Sequence, residues 1–266
     1  MDSRLAQQVV VVTGASSPIG AAIARALAAE GARLVLHGHG NEIALAGLVA
    51  ELANGARSVV ADLRDAEGAD RVLAAGIAAF GRVDALVANA AYRDDDAAPV
   101  HALASDRWRD VVAGTLDTAF HACAAFFRHL EAVPRESAAV VLIGSTAGLV
   151  GEEGFADYAA AKGALLHGLL PTLKNEIVRL APRGRVNAVA PGWVATPRNA
   201  SALRDPMRFG RAAATMALRK PAQPEDVASA AVWLLSERLA GHVSGTIVPV
   251  QGGMEGRMLH DPAAGA

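Results

Sequence analysis

Tyr158 and Lys162 stand four residues apart in Tyr158-Ala159-Ala160-Ala161-Lys162, and Ser145 lies 13 positions before Tyr158. On a helix that spacing puts both side chains on one face, about one turn apart. A phenol, with a reference pKa near about 10, is a poor base at neutral pH and needs help to move a proton. An ammonium at roughly 5 Å and an effective dielectric of about 20 attracts the phenolate by a few kcal/mol, enough to lower the phenol by about two pKa units. Tyr158 is then expected to pass a proton to a substrate oxygen and take it back in reverse, with Ser145 hydrogen-bonding the same oxygen. Taken singly, each has an ordinary reading: a tyrosine packing on a helix with its hydroxyl in water, a serine forming a turn beside Gly144.

A second constellation lies upstream, in Thr13-Gly14-Ala15-Ser16-Ser17-Pro18-Ile19-Gly20. Small residues between a strand and a helix let a pyrophosphate meet free backbone N–H groups at the positive helix end. Gly14, Ser16, Ser17, Ile19 and Gly20 are the candidate contacts. Pro18 brings no donor, yet proline suits the first helical position, where its N–H would be unpaired anyway.

These groups must be positioned by an alternation of short β-branched runs with longer Ala/Leu-rich segments of helical period, the mark of βαβ units around a parallel sheet buried on both faces. The predicted strands are Val9–Thr13, Arg33–His37, Ser58–Ala61, Ala85–Asn89, Ala139–Gly144, Arg185–Ala190 and Thr246–Val250. Helices are predicted at 18–30, 41–53, 65–79, 105–130, 156–180 and 224–236. The fold class is α/β, a Rossmann-like doubly wound sheet of about seven parallel strands with helices on both faces. One domain over 1–266 is expected, with a mobile, partly apolar flap at about 196–221 and a disordered tail at 262–266.

With 52% hydrophobic residues the chain can bury a large core, and a net charge of −2 without like-charge blocks excludes nucleic acid or an anionic membrane as the expected partner. A small-molecule carbonyl or alcohol is expected instead. The single Cys123 cannot form an internal disulfide, which suits a reducing, cytoplasmic setting. No signal peptide and no membrane span is expected. Consecutive Asp94, Asp95 and Asp96 read as a solvated loop, and no metal is expected.

From Val9 to Gly253 the chain resembles the short-chain dehydrogenase/reductase family. Its T-G-x-x-x-G-x-G loop is matched at Thr13, Gly14 and Gly20 and broken at Pro18; its Y-x-x-x-K form is matched at Tyr158 and Lys162. Asp62-Leu63 resembles the adenine contact, Asn89-Ala90-Ala91 the N-A-G segment, and Pro191-Gly192-Trp193-Val194-Ala195-Thr196 the P-G-x-V-x-T turn near the nicotinamide, with Pro191, Gly192, Val194 and Thr196 as contacts. Gly252-Gly253 resembles the closing D-G-G, with Gln251 in place of the acid. The resemblance implies a nicotinamide cofactor, Lys162 holding its ribose and Ser145, Tyr158 and Lys162 as catalytic residues. Where the family carries an asparagine supporting a water chain to the lysine, Thr115 stands here; the alternative is a threonine bonded back to a helix carbonyl.

NAD enzymes of this fold want an acid at the end of the second strand. Here Gly38 takes that position, leaving room for a 2′-phosphate with His37, His39, Asn41 and Ser17 as donors. NADP(H) is therefore expected, with NAD(H) the alternative. The substrate pocket is expected between Ser145, Tyr158, Ala91–Arg93, Ala147, Trp193 and the flap, whose Met and Phe side chains favour an apolar or ring-bearing ketone. A homotetramer, or a dimer, is expected from pairing of the helices at 105–130 and 156–180 through Phe126, Phe127, Leu166 and Leu170. The rivals are a nicotinamide-binding regulator without turnover, an NAD-dependent alcohol dehydrogenase, and an epimerase or dehydratase on the same fold.

Overall fold

A computed structural model describes residues 2–52, 55–254 and 256–259; the tail at 262–266 lies outside the described residues. Seven parallel strands form one sheet in the order β3-β2-β1-β4-β5-β6-β7: β1 (Val9–Val12), β2 (Arg33–Gly38), β3 (Ala56–Val60), β4 (Ala85–Ala88), β5 (Ala139–Ile143), β6 (Arg185–Pro191) and β7 (Ile247–Val250). The order reverses between β1 and β4, and at such a switch point the carboxyl ends of the strands open a crevice.

The β1 run of four valines shows why the pattern folds this way. Val9 and Val11 enter the core on one face, Val10 and Val12 the core on the other, as period-two alternation requires. A strand buried on both faces needs helices on both. Those on one face are α1 (Pro18–Ala29), α2 (Glu42–Glu51) and α11 (Pro224–Leu235). The other face is covered by α3 (Ala66–Phe80), the long helix made of α4 (Ser105–Val112) and α5 (Thr118–Ala132), and that made of α7 (Ala156–Ala164) and α8 (Leu170–Leu180). Short α6 (Ala147–Val150) follows β5, and α12 (Glu237–Ala240) follows α11. The segment expected as an irregular flap carries two helices, α9 (Ala200–Arg204) and α10 (Pro206–Ala214).

Both long helices widen into a π turn, at Ala113–Asp117 and at Leu165–Leu169. Pro171 explains the second: it lacks an N–H and its ring would clash with the carbonyl four residues back. The first opens towards Tyr92, whose amide donates to the Gly114 carbonyl at 2.9 Å. Phe126, Leu166 and Leu170, expected on an inter-subunit face, are instead buried within the chain. The exposed apolar residues of these helices are Trp108, Phe120 and Val178. None of the described helices is long and apolar enough to cross a membrane.

A Cβ on Gly114 would lie 2.5 Å from the Tyr92 Cβ. Helix propensity alone favours alanine over glycine by about 1 kcal/mol, but Gly114→Ala should instead lower stability by about 1–3 kcal/mol. Urea unfolding checks this, and equal or higher stability in the variant would contradict the packing.

Candidate active site

The loop after β1 is held from both neighbouring strands. Asn89, just past β4, donates from Nδ2 to the carbonyls of Thr13 at 2.9 Å and Gly14 at 3.0 Å, while the Thr13 hydroxyl accepts from the amides of Asn89 and Ala90, each at 2.9 Å. Gly14 sits at φ +63°, and a Cβ on Gly20 would fall 2.3 Å from the Gly14 carbonyl oxygen, so the loop folds tightly onto the start of α1. Ser17 caps that helix, its Oγ accepting from Gly20 N at 3.1 Å, with Pro18 at the first position. Ile19, which lines the cleft, has an N–H with no acceptor among the described residues, a free donor at a positive helix end.

His37 secures the loop from the β2 side. Its Nδ1 accepts from Gly14 N at 3.2 Å, so Nε2 carries the proton and donates to the Ala61 carbonyl at 2.9 Å. Burial lowers its pKa and the ring is neutral. With both nitrogens committed to backbone, His37 is a strut and not the phosphate donor expected.

A cleft of about 1030 Å³ runs along the carboxyl edge of the sheet. Gly14, Ser16, Ser17 and Ile19 line one part of it, His39, Asp62 and Leu63 the next, then Asn89, Ala90 and Ala91. Ser145, Tyr158 and Lys162 stand further along, with Pro191, Gly192, Val194 and Thr196 opposite. Gly20 and Gly38 act behind this surface, by leaving room. The cradle, the free amide and the continuous cleft fit an extended dinucleotide.

Ser145 follows β5, and Tyr158 and Lys162 share one face of α7. Lys162 is buried and its Nζ donates to the Ile143 carbonyl at 2.6 Å; burial pushes its pKa down to about 8. Its Nζ lies 5.7 Å from the Tyr158 ring centroid. The expectation that Tyr158 would be held below the usual phenol range is not met. Burial raises it, opposed by the neighbouring Ser145 hydroxyl and by the charge of Arg93, with Glu152 raising and Arg198 lowering it further. In a poorly solvated site, desolvation of the phenolate outweighs the cations around it. Tyr158 accordingly holds its proton at neutral pH.

The start of α7 is fixed by an ion pair that the sequence did not announce. Asp157, fully buried, accepts from Arg107 Nε at 2.9 Å and from Tyr158 N at 2.8 Å, and Arg107 Nη1 donates to the Asp96 carbonyl at 2.6 Å. The Thr115 hydroxyl is bonded to backbone after β4: it donates to the Tyr92 carbonyl at 2.6 Å and accepts from Tyr92 N at 3.2 Å, so it ties the π turn to that segment.

The substrate end differs from the apolar pocket expected. Trp193 packs edge-on against Phe209, ring centroids 6.1 Å apart, and does not line the cleft; nor does Ala147. The expected Ala91–Arg93 stretch does line it, and of the expected flap it is Thr196, Pro197, Arg198 and Asn199 that do so, not its Met and Phe side chains; Arg64, which was not expected, lines the cleft beside Asp62, paired with it at 2.8 Å. Nothing local marks Arg198.

A family model described as enoyl-(acyl carrier protein) reductase matches residues 14–255. The chain is 38% identical to cis-4-hydroxycyclohexanecarboxylate dehydrogenase of Sinomonas cyclohexanicum, over 95% of this chain and 98% of that protein. It is 33% identical to a 3-oxoacyl-[acyl-carrier-protein] reductase of Synechocystis, over 94% and 98%. A solved structure described as a short-chain alcohol dehydrogenase from Sinorhizobium meliloti superposes with a TM-score of 0.86 at 29% identity, over 96% of this chain and 98% of that one. Sheet order, family model and relatives agree: the chain belongs to the short-chain dehydrogenase/reductase family and is an NAD(P)-dependent oxidoreductase.

Proposed function

We propose that this enzyme is a single-domain, cytoplasmic ketoreductase that works with NADP(H) on the carbonyl or secondary alcohol of a small, ring-bearing substrate, in the manner of a 3-oxoacyl reductase. The observation that carries this reading is the convergence of Ser145, Tyr158 and Lys162 on the cleft that begins at the phosphate cradle. The nicotinamide, when bound, supplies or accepts the hydride. Ser145 fixes the carbonyl oxygen, and Tyr158, protonated at neutral pH, donates to it as the alcohol forms. The Lys162 ammonium, charged below about pH 8, stabilises the phenolate left behind and, as in the family, holds the ribose. Thr115 positions the Tyr92 segment.

The NADP(H) preference rests on the end of β2, where no acid stands to repel a 2′-phosphate. Gly38 is backed by Ser16, whose Oγ lies 3.3 Å from where a Cβ would sit, and His39 and Asn41 line the cleft nearby, with Arg64 as a cation the sequence reading did not count. The relative from Sinomonas acts, by its name, on a cyclohexane ring, which supports a ring-bearing substrate. Exposed Trp108 and Phe120 on the long α4–α5 helix support a homotetramer or dimer.

Tyr158→Phe should lower kcat for ketone reduction by about 10²–10⁴-fold while leaving NADPH affinity within about threefold, measured by NADPH oxidation and cofactor titration. Tight cofactor binding with no turnover in the wild type on any ketone would favour the regulator. Comparison of kcat/KM for the two cofactors should favour NADPH, and a preference for NADH above about tenfold would reverse the assignment. Because Lys162 in the free enzyme is cationic below about 8 and neutral above it, kcat/KM for the cofactor should fall as pH rises through about 8. A profile flat to pH 10 would show that the charge is not required.

A further inference from the structure

Several arginines of this chain donate to protein oxygens, although Arg107 Nη2 and Arg185 Nε are buried without a partner. Arg185 donates to the carbonyls of Leu234, Leu235 and Ala240, and Arg107 to Asp157 and the Asp96 carbonyl. Arg93 does not. Its guanidinium carbon stands 4.0 Å from the Phe155 ring centroid and 5.6 Å from that of Tyr158, and Nη2 lies 3.3 Å from Glu152 Oε1. Among the described residues the guanidinium makes no hydrogen bond, and Nε is buried without a partner. A buried donor without a partner costs free energy, and of the arginines that carry one only Arg93 lines the cleft.

Arg93 is nonetheless held in place. Its backbone carbonyl accepts from Arg198 Nη2 at 2.6 Å, and Arg198 Nε is anchored on Asp95 at 2.7 Å. A guanidinium lying against an aromatic face keeps its in-plane N–H edge for a ligand, and that edge matches the two oxygens of a carboxylate. Arg93 and Arg198 both line the cleft beside Tyr158. Glu152 and Asp95 are the carboxylates paired with them.

We propose that the substrate carries a carboxylate, received by Arg93 at the end of the cleft beyond the reacting carbonyl, with Arg198 adding positive charge at the mouth. This rests on the reductase reading above. The short reach between Arg93 and the Tyr158 ring limits the spacer between carboxylate and carbonyl to a small ring or a few carbons. Substrate selection is then electrostatic as well as apolar, and Arg93 brings the substrate's charge against the general acid.

The test uses the full-length enzyme with NADPH and two keto acids, 4-oxocyclohexanecarboxylate and 4-oxopentanoate, each beside its neutral carboxamide. The wild type should favour at least one acid over its amide by about 10-fold or more in kcat/KM, the size expected of a charge-assisted hydrogen bond. Arg93→Gln should collapse that ratio to below about threefold, mainly through KM, with Arg93→Lys retaining part of it. Amides turned over as well as or better than both acids would overturn the carboxylate site while leaving the reductase standing. An acid preference that survives Arg93→Gln in a folded variant would overturn the assignment to Arg93. Turnover of no acid, no amide and no neutral ketone would overturn the reductase reading itself.

Discussion

The cleft depends on one carboxamide. Asn89 leaves the end of β4 and binds the two carbonyls that open the loop after β1, at the point where the strand order reverses. Parallel strands separated in sequence by more than seventy residues are thereby locked at their carboxyl ends, with the Thr13 hydroxyl returning the contact to the amides of Asn89 and Ala90. His37 completes the support from β2. Because these carbonyls and amides are satisfied internally, the loop keeps its curvature, and Ile19 at the start of α1 lines the crevice.

Charge is distributed along the cleft according to what it must do. Lys162 is buried on the Ile143 carbonyl, where desolvation works against its charge, so that its ionised state is sensitive to what occupies the site. The Tyr158 ring centroid lies 5.7 Å from that ammonium and 5.6 Å from the Arg93 guanidinium carbon, and the same burial that keeps its proton on makes nearby charge effective. Arg107 and Asp157 neutralise one another inside the protein and fix the first turn of α7, on which the register of Tyr158 and Lys162 depends. A buried ion pair of this kind contributes placement more than stability.

Much of the architecture was legible because it is periodic. Four valines in a row, all buried, admit only a strand covered on both faces, and the seven predicted strands agree with the observed ones to within two residues at each end. The π turns were not legible, since they come from a mid-helix Pro171 and from the approach of Tyr92 to Gly114, the latter a contact between segments far apart in sequence. The helices within 196–221 were hidden by their prolines, two of which stand at helix starts instead of breaking them.

The sequence by itself determined the α/β class, the strand–loop–helix cradle and the Tyr–Lys spacing, because each depends on local periodicity or on residues a turn apart. Only the tertiary structure decided what each polar side chain faces. His37 became a strut, Thr115 a tether for Tyr92, Trp193 a packing partner of Phe209, and Arg93 a cation with unspent donors beside Tyr158. Hydrogen-bond partners and desolvation are set by residues brought together from distant strands, and no spacing along the chain encodes them.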